Sequence, residues 1–312
     1  MSPDVPVELA FSPRFLTNFA TQVADVGPPP AQLTYRIVDP ADYALQVVST
    51  NWSQHGRTHF KFSFEANVPG RPIAWTRAPR GTVVLLHGYG LAQFSTAPWA
   101  LRLAQEGWRC VLVNLRGHGT STGKRVYFGL TETNDLTQLL DTLERHDQIT
   151  EPVAVMGESY GASLALRWKS VEPRVDRVVV IAPYARLSTA ILNIRREYAA
   201  WVPKPFITAG LRRLPSLLNV DPGDLDTLSV LAGHPLVALF VAAANDEITP
   251  VDDVRRLHDQ AGADSRFLVI PGATHEAVLY FFDDLVPPVL DWLNTGPGAI
   301  TRTNPAPGSP PS

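Results

Sequence analysis

Cysteine is nearly absent from this sequence of 312 residues, because Cys110 is the single example. One thiol cannot close an intrachain disulfide, and it cannot build a thiolate metal cluster. The surrounding residues, 108–113, are mostly apolar, which predicts a buried strand and an inert core thiol. Disulfide scaffolds and cysteine-based metal centres are therefore excluded as classes.

An excess of basic charge is also lacking. The chain has 27 Lys and Arg residues against 30 Asp and Glu residues, for a net charge of -3. Such a balance gives no basic field with which to hold a phosphate backbone. We therefore expect no nucleic-acid partner.

Long apolar runs are missing as well. The longest, residues 236–244, is far shorter than the roughly 18 residues that span a bilayer, so we expect no transmembrane helix. Residues 1–6 show neither a basic nor an apolar signal-peptide region. We expect a cytoplasmic protein, or an exported one whose signal has been removed.

Apolar residues are nevertheless plentiful. The chain is 45% hydrophobic and 18% charged, which is enough apolar material to bury a sizeable core and excludes wholesale disorder. Residues 296–312 differ, since they hold five prolines and three glycines without apolar periodicity. We predict a disordered tail there.

The apolar pattern predicts an α/β fold. Phe60, Phe62 and Phe64 alternate with polar residues, which predicts a half-buried strand paired antiparallel with residues 43–50. After residue 73, short apolar runs alternate with helix-length segments, which predicts a mostly parallel sheet flanked by helices. The predicted strands cover 82–86, 110–113, 152–156, 175–181, 236–243 and 266–270, and the predicted helices cover 98–107, 131–145, 162–171, 250–261 and 276–293.

One interval breaks this alternation, because more than fifty residues separate the strands that end near Ile181 and begin near Leu236. Apolar residues at helical spacing over 187–202 predict an amphipathic helix there, followed by the breakers Pro203 and Pro205. We predict a small helical lid. The domain prediction is an N-terminal extension with antiparallel leading strands (1–72), a core (73–183 and 235–295), the lid (184–234) and the tail (296–312).

The sequence Gly157-Glu158-Ser159-Tyr160-Gly161 stands between a predicted strand and a predicted helix. This G-x-S-x-G pattern is typical of a strand-turn-helix that holds a nucleophilic serine clear of the sheet, with glycines where side chains would collide. About 0.07 chance matches are expected in a chain of this composition. Ser159 is therefore the predicted nucleophile.

A serine nucleophile needs a base and an acid that orients the base. The expected chain order is serine, acid, histidine. Of the three histidines after Ser159, His234 stands before a strand and His258 inside a helical stretch, whereas His275 follows the last predicted strand. His275 is therefore the predicted base. Asp246, directly after the preceding strand, is the predicted acid, with its neighbour Glu247 as the alternative.

Attack on a carbonyl creates an oxyanion that needs preorganised N–H donors. We predict the amides of Tyr160 and of Tyr89, the latter within His87-Gly88-Tyr89-Gly90 after the first core strand. His87 itself is predicted to orient this loop.

With these motifs the chain resembles the α/β-hydrolase superfamily, in its lipase, lysophospholipase and serine-aminopeptidase-like branches. The resemblance includes residues 114–121, which are similar to a D-x-R-G-x-G-x-S loop with Asn114 in place of Asp. It spans about residues 73–293 and leaves residues 1 to about 70 unexplained. The glycines of residues 117–123 have the wrong spacing for a dinucleotide site.

The predicted function is hydrolysis of a small-molecule carboxylic ester through an acyl-enzyme, without a cofactor or metal. Thioesterase and aminopeptidase activity are alternatives, because the same triad cleaves thioesters and amides; a catalytically silent binding protein is a further alternative. An apolar acyl group is expected to contact four aromatic side chains, although packing is the alternative role for each. They are Phe94, Phe128, Tyr198 and Trp201.

Overall fold

The computed structural model describes residues 7–11, 13–54, 57–67 and 78–296. The predicted tail lies outside these residues except for Gly296. In the described ranges the strands are β1 Val7–Phe11, β2 Gln22–Val26, β3 Ala31–Val38, β4 Ala44–Gln54, β5 Arg57–Asn67, β6 Thr82–Leu86, β7 Arg109–Val113, β8 Val153–Glu158, β9 Val175–Ile181, β10 Leu239–Ala243 and β11 Arg266–Ile270. The α-helices are α1 Ala97–Gln105, α2 Glu132–Arg145, α3 Tyr160–Val171, α4 Leu187–Tyr198, α5 Lys204–Leu218, α6 Thr227–Gly233, α7 Val251–Gln260 and α8 Phe282–Thr295.

Eight strands form the main sheet in the order β11-β10-β9-β8-β6-β7-β3-β2. The strands β6 to β11 run parallel to one another, as the apolar runs predict. At one edge, β3 pairs antiparallel with β7, and β2 pairs antiparallel with β3. The α/β prediction is confirmed, and two strands from before residue 73 extend its sheet.

A second sheet of three strands has the order β1-β5-β4, with β4 antiparallel to β5 and β1 parallel to it. The alternating phenylalanines of β5 turn to one side and are buried. Phe60 stacks on Phe281 with ring centroids 4.5 Å apart, and Phe62 contacts Phe282 at 5.3 Å. This sheet is therefore held against the beginning of α8.

Helices cover both faces of the main sheet and enclose two apolar clusters. Trp99 of α1 and Trp292 of α8 belong to the cluster on one face. Leu140 of α2, Leu166 of α3 and Leu257 of α7 belong to the cluster on the other face. In this arrangement the carboxyl ends of the parallel strands meet at one edge, which is where such sheets carry their sites.

Helices α4 to α6 lie between β9 and β10. The spacing over 187–202 suggests one helix, but α4 ends at Tyr198 and Trp201 follows it in a turn, 84% exposed. Pro205 does not act as a breaker, because it occupies the first turn of α5, where a proline removes no helical hydrogen bond. No residue of α5 is buried. Among the described residues, none of the helices has the length and apolar character that crossing a bilayer demands.

Candidate active site

Ser159 lies at the sharp turn between β8 and α3. Its backbone adopts φ 49° and ψ -113°, a left-handed conformation that is strained for a residue with a side chain. A Cβ on Gly157 would lie 2.3 Å from the Gly161 carbonyl oxygen, and one on Gly161 would lie 2.4 Å from the Leu86 carbonyl oxygen. The glycines of the motif are therefore required by contact, and the turn presents the serine above the sheet edge.

The loops after β10 and β11 bring two further groups to Ser159. The His275 Nε2 atom lies 2.9 Å from the Ser159 Oγ, and the His275 Nδ1 atom lies 2.8 Å from the Asp246 Oδ2. The Asp246 side chain is fully buried, whereas the alternative acid Glu247 is 69% exposed and pairs with Arg196 at 2.7 Å. The structure thus joins Ser159, His275 and Asp246 in one hydrogen-bonded chain.

Three donors besides the imidazole surround the Asp246 carboxylate. The Ile248 and Thr249 amides donate to Oδ1 at 2.8 and 2.7 Å, and the Thr249 hydroxyl donates to Oδ2 at 2.8 Å. These contacts fix the carboxylate toward His275. The sequence prediction missed Thr249, because no sequence pattern distinguishes this threonine from others in loops.

Glu158, inside the nucleophile motif, holds the loop after β6. Its Oε1 accepts hydrogen bonds from the Gly88 amide at 3.2 Å and from the Ser95 hydroxyl at 3.1 Å. Burial raises the pKa of the Glu158 carboxyl, while these donors and nearby His275 act in the opposite direction. No sequence feature reveals this contact, because the motif accepts any residue at that position.

Tyr89 and Tyr160, whose amides are the predicted oxyanion donors, belong to two segments that meet through their side chains. Tyr160 begins α3, so its N–H has no acceptor within the helix. The Tyr89 amide follows Gly88, which Glu158 holds. The Tyr89 and Tyr160 rings meet edge to face with centroids 6.1 Å apart, so the two segments lie side by side.

The buried side chain of His87 connects two loops. Its Nε2 accepts a hydrogen bond from the Leu115 amide at 3.1 Å, so Nδ1 carries the proton and donates to the Gly88 carbonyl at 2.8 Å. Burial lowers the pKa of His87 to about 4. The neutral ring is therefore placed to orient the Gly88 loop, as expected.

The two histidines that were weighed against His275 as the base have other surroundings. His234 directly follows α6, and His258 of α7 contacts the Phe240 ring.

Asn114, the departure from the D-x-R-G-x-G-x-S pattern, joins three segments. Its Oδ1 accepts from the Gln93 amide at 2.9 Å, and its Nδ2 donates to the hydroxyls of Thr34 and Thr120 at 2.9 and 3.1 Å. An amide supplies both the acceptor and the donors for this set. The substitution thus ties the β7 loop to β3 and to the segment after β6.

The four aromatic residues predicted to contact an acyl group differ in position. Phe128 is half-buried and lines a cavity of about 410 Å³ together with Tyr89. Phe94 and Tyr198 are 40% and 44% exposed, and neither is among the residues that line this cavity; nor is Trp201. The acyl-contact role of all four stays a prediction.

Comparison with known proteins agrees with this fold. Residues 77–229 match the family model described as serine aminopeptidase, S33. An esterase of Pyrococcus furiosus, Pf2001, superposes with a TM-score of 0.63 at 17% identity, covering 94% of this chain and 98% of that one. The chain has the α/β-hydrolase fold.

Two curated relatives match this chain over part of their length. The uncharacterised protein YqkD of Bacillus subtilis is 21% identical over 199 residues, which covers 62% of this chain and 64% of the relative. The monoacylglycerol lipase of Mycolicibacterium smegmatis is 33% identical over 105 residues, which covers 33% of this chain and 38% of that lipase. The chain thus spans less than two thirds of either relative.

Proposed function

We propose that this chain is a serine hydrolase that cleaves carboxylic esters through an acyl-enzyme on Ser159. The observation that carries the proposal is the hydrogen-bonded chain from Ser159 to His275 and Asp246, at 2.9 and 2.8 Å. A serine hydroxyl is nearly inert at neutral pH, and an imidazole within hydrogen-bond distance can take its proton during attack. The monoacylglycerol lipase relative and the esterase neighbour favour an ester with an apolar acyl group.

The proposed reaction has two halves. As the Ser159 Oγ attacks the ester carbonyl, His275 Nε2 accepts the serine proton and the carbonyl oxygen becomes an oxyanion. The amides of Tyr89 and Tyr160 are the proposed donors to that oxyanion. His275 then donates the proton to the departing alcohol, which leaves the acyl group on Ser159. Water attacks the acyl-enzyme in the same way, with His275 as base, and releases the acid.

Asp246 has a separate part in this scheme. Its carboxylate holds the proton of His275 on Nδ1, which leaves Nε2 free to accept the serine proton. It also stabilises the imidazolium that forms in each half. Helices α4 to α6, residues 184–234 of the domain prediction, supply none of these groups. We assign them the role of a lid that selects the substrate and excludes water.

The experiment is labelling with a fluorophosphonate, followed by turnover of p-nitrophenyl acetate, butyrate and octanoate. Ser159→Ala should lose both the label and the turnover while keeping a folded circular-dichroism spectrum. Ser170→Ala, which changes a serine near the end of α3, is the matched control and should keep both the label and the turnover. An alanine variant at 159 that retains most of its esterase activity contradicts the nucleophile assignment. Faster turnover of acyl-CoA or of aminoacyl anilides would favour a thioesterase or an aminopeptidase.

A further inference from the structure

The cavity of about 410 Å³ lies between the segment after β7 and the helix α5. Its apolar wall is formed by Leu214, Leu217 and Leu218 of α5, with Tyr89 and Phe128 also among its lining residues. Small-molecule sites have volumes of about 300–1,000 Å³ and are mostly apolar with a few polar groups. Both the size and the lining of this cavity fit a ligand that carries a short apolar chain.

Two aromatic rings connect the cavity lining to the residue that follows the nucleophile. The Tyr89 and Phe128 rings both contact the Tyr160 ring, with centroids 6.1 and 6.4 Å away, and Tyr160 directly follows Ser159. Tyr89 also supplies one of the two proposed oxyanion amides. An ester whose carbonyl lies at Ser159 can therefore extend past Tyr89 into the cavity.

The polar lining of the cavity is positively charged. Lys124 and Arg125 are exposed side chains among its lining residues, which include no acidic residue. Within the part of the chain that the structure describes, no carboxylate forms a salt bridge with either side chain. By contrast, Arg116, Arg174 and Arg196 are each paired with a carboxylate at 2.6 to 2.7 Å.

The helix that forms the apolar wall adds to this charge. Helix α5 carries Lys204, Arg212 and Arg213 and no acidic residue, in a protein whose net charge is -3. Local positive charge beside an apolar wall attracts a ligand that is apolar along its length and anionic at its end. The cavity therefore matches such a ligand both in charge and in its apolar wall, in addition to the chemistry of Ser159, His275 and Asp246.

We propose that the cavity binds the anionic end of an amphiphilic ester, with its apolar segment along the leucines of α5 and its carboxylate or phosphate beside Lys124 and Arg125. This inference rests on the proposed ester hydrolysis at Ser159 and narrows its substrate class. The anion can belong to either side of the ester: to the acyl group, as in an ω-carboxyacyl ester, or to the alcohol, as in an acyl ester of glycerol phosphate.

Two matched substrate pairs test the proposal. Mono-p-nitrophenyl adipate is compared with its methyl ester, and 1-hexanoylglycerol 3-phosphate with 1-hexanoylglycerol. At low salt, the wild-type kcat/KM should favour the charged member of at least one pair by about three- to tenfold, as two exposed ion pairs allow. The pair that shows the preference identifies the side of the ester that carries the anion. High salt should abolish the preference, because exposed charges are screened.

The variant Lys124→Gln/Arg125→Gln should lose the preference, because its kcat/KM for the charged esters falls toward that for their neutral counterparts. The control Arg145→Gln/Arg256→Gln removes the same charge from α2 and α7, outside the cavity, and should keep the preference. Equal kcat/KM for both members of both pairs overturns the proposal, as does a preference that the Lys124/Arg125 variant retains.

A binding measurement separates this inference from the proposed function. By calorimetry, the Ser159→Ala protein should bind decanoate more tightly than decanol, and Lys124→Gln/Arg125→Gln introduced into it should remove the difference. Absence of fluorophosphonate labelling and of all ester turnover contradicts the proposed function alone. Equal affinity for decanoate and decanol contradicts the cavity assignment alone.

Discussion

Thr249 provides the sharpest test of how the candidate site is held together. Its hydroxyl donates to the buried Asp246 carboxylate at 2.8 Å and lies 3.3 Å from the His275 Nδ1. Thr249→Val keeps the branched shape of the side chain and removes the donor. Thr249→Ser keeps the donor and removes a methyl group.

The size of the effect follows from this contact. A hydrogen bond to a charged group contributes about 1.5–3 kcal/mol to stability. The Asp246 carboxylate is fully buried, so water cannot replace the lost donor. Thr249→Val should therefore lower the free energy of unfolding by about 1.5–3 kcal/mol. If the same amount is lost from the transition state, kcat/KM falls by about 10- to 150-fold at most, since about 1.4 kcal/mol corresponds to tenfold. Asp246 keeps its two backbone donors, so the activity should not vanish.

Urea unfolding and p-nitrophenyl butyrate turnover measure the two quantities. Thr249→Ser should stay within about 1 kcal/mol of the wild type in stability and within about tenfold in kcat/KM, since only a methyl group is lost. A valine variant with wild-type stability and activity would refute the reasoning. So would a serine variant as impaired as the valine variant, because the loss would then be due to packing.

Three further predictions concern buried groups around the site. Arg116 is 1% exposed and pairs with Asp135 at 2.6 Å, so Asp135→Leu leaves a buried charge without its partner. This variant should lower the free energy of unfolding, measured with urea, by about 3–5 kcal/mol. The double variant Arg116→Met/Asp135→Leu should recover most of that loss. Because burial raises the folded-state pKa of Glu158, its ionisation costs stability, and the wild type loses stability as the pH rises through that raised pKa. Glu158→Gln should therefore have a higher free energy of unfolding than the wild type at pH 8, and the difference should vanish near about pH 4. Unfolding curves over this pH range measure the difference, and a difference that does not change with pH would contradict the prediction. Gly161→Ala places a Cβ 2.4 Å from the Leu86 carbonyl oxygen and should lower kcat by about 100-fold in a folded protein, whereas near-normal kcat would show that the turn can relax.

The sequence predicts the parallel strands and the sharp turn at Ser159 because each has a distinctive local sequence. Strands buried on both faces must be continuously apolar, and glycine is required at 157 by the Gly161 carbonyl and at 161 by the Leu86 carbonyl. The antiparallel pairing of β3 with β7 could not be predicted, because it joins residues more than seventy positions apart and neither strand carries a sequence pattern that identifies its partner. The helical spacing that includes Trp201 was misleading, since α4 ends three residues earlier.

Within the candidate site, the residues found from sequence are those with distinctive chemistry. A histidine and an aspartate after consecutive strands are few enough to be chosen by position, and the structure places His275 and Asp246 within hydrogen-bond distance of each other. The supporting groups act through a few hydrogen bonds: Thr249 donates to the Asp246 carboxylate, and Glu158 accepts from the Gly88 amide and the Ser95 hydroxyl. Many residues of these types occur on any surface, so only the folded geometry distinguishes them.

The position of helices α4 to α6 has a consequence for how this chain can vary in length. The insertion leaves the sheet after β9 and returns at β10, and these two strands are direct neighbours. The entropy of closing such an excursion grows with the logarithm of its length, so that doubling it costs only about 0.6 kcal/mol. Since α5 contributes no buried residue, residues can be added or removed there with little loss of core contact. The insertion can therefore vary in length at α5 while the sheet, and the loops that carry Ser159, Asp246 and His275, keep their register, whereas the core contacts of α4 and α6, such as those of Leu187 and Leu231, have to be kept.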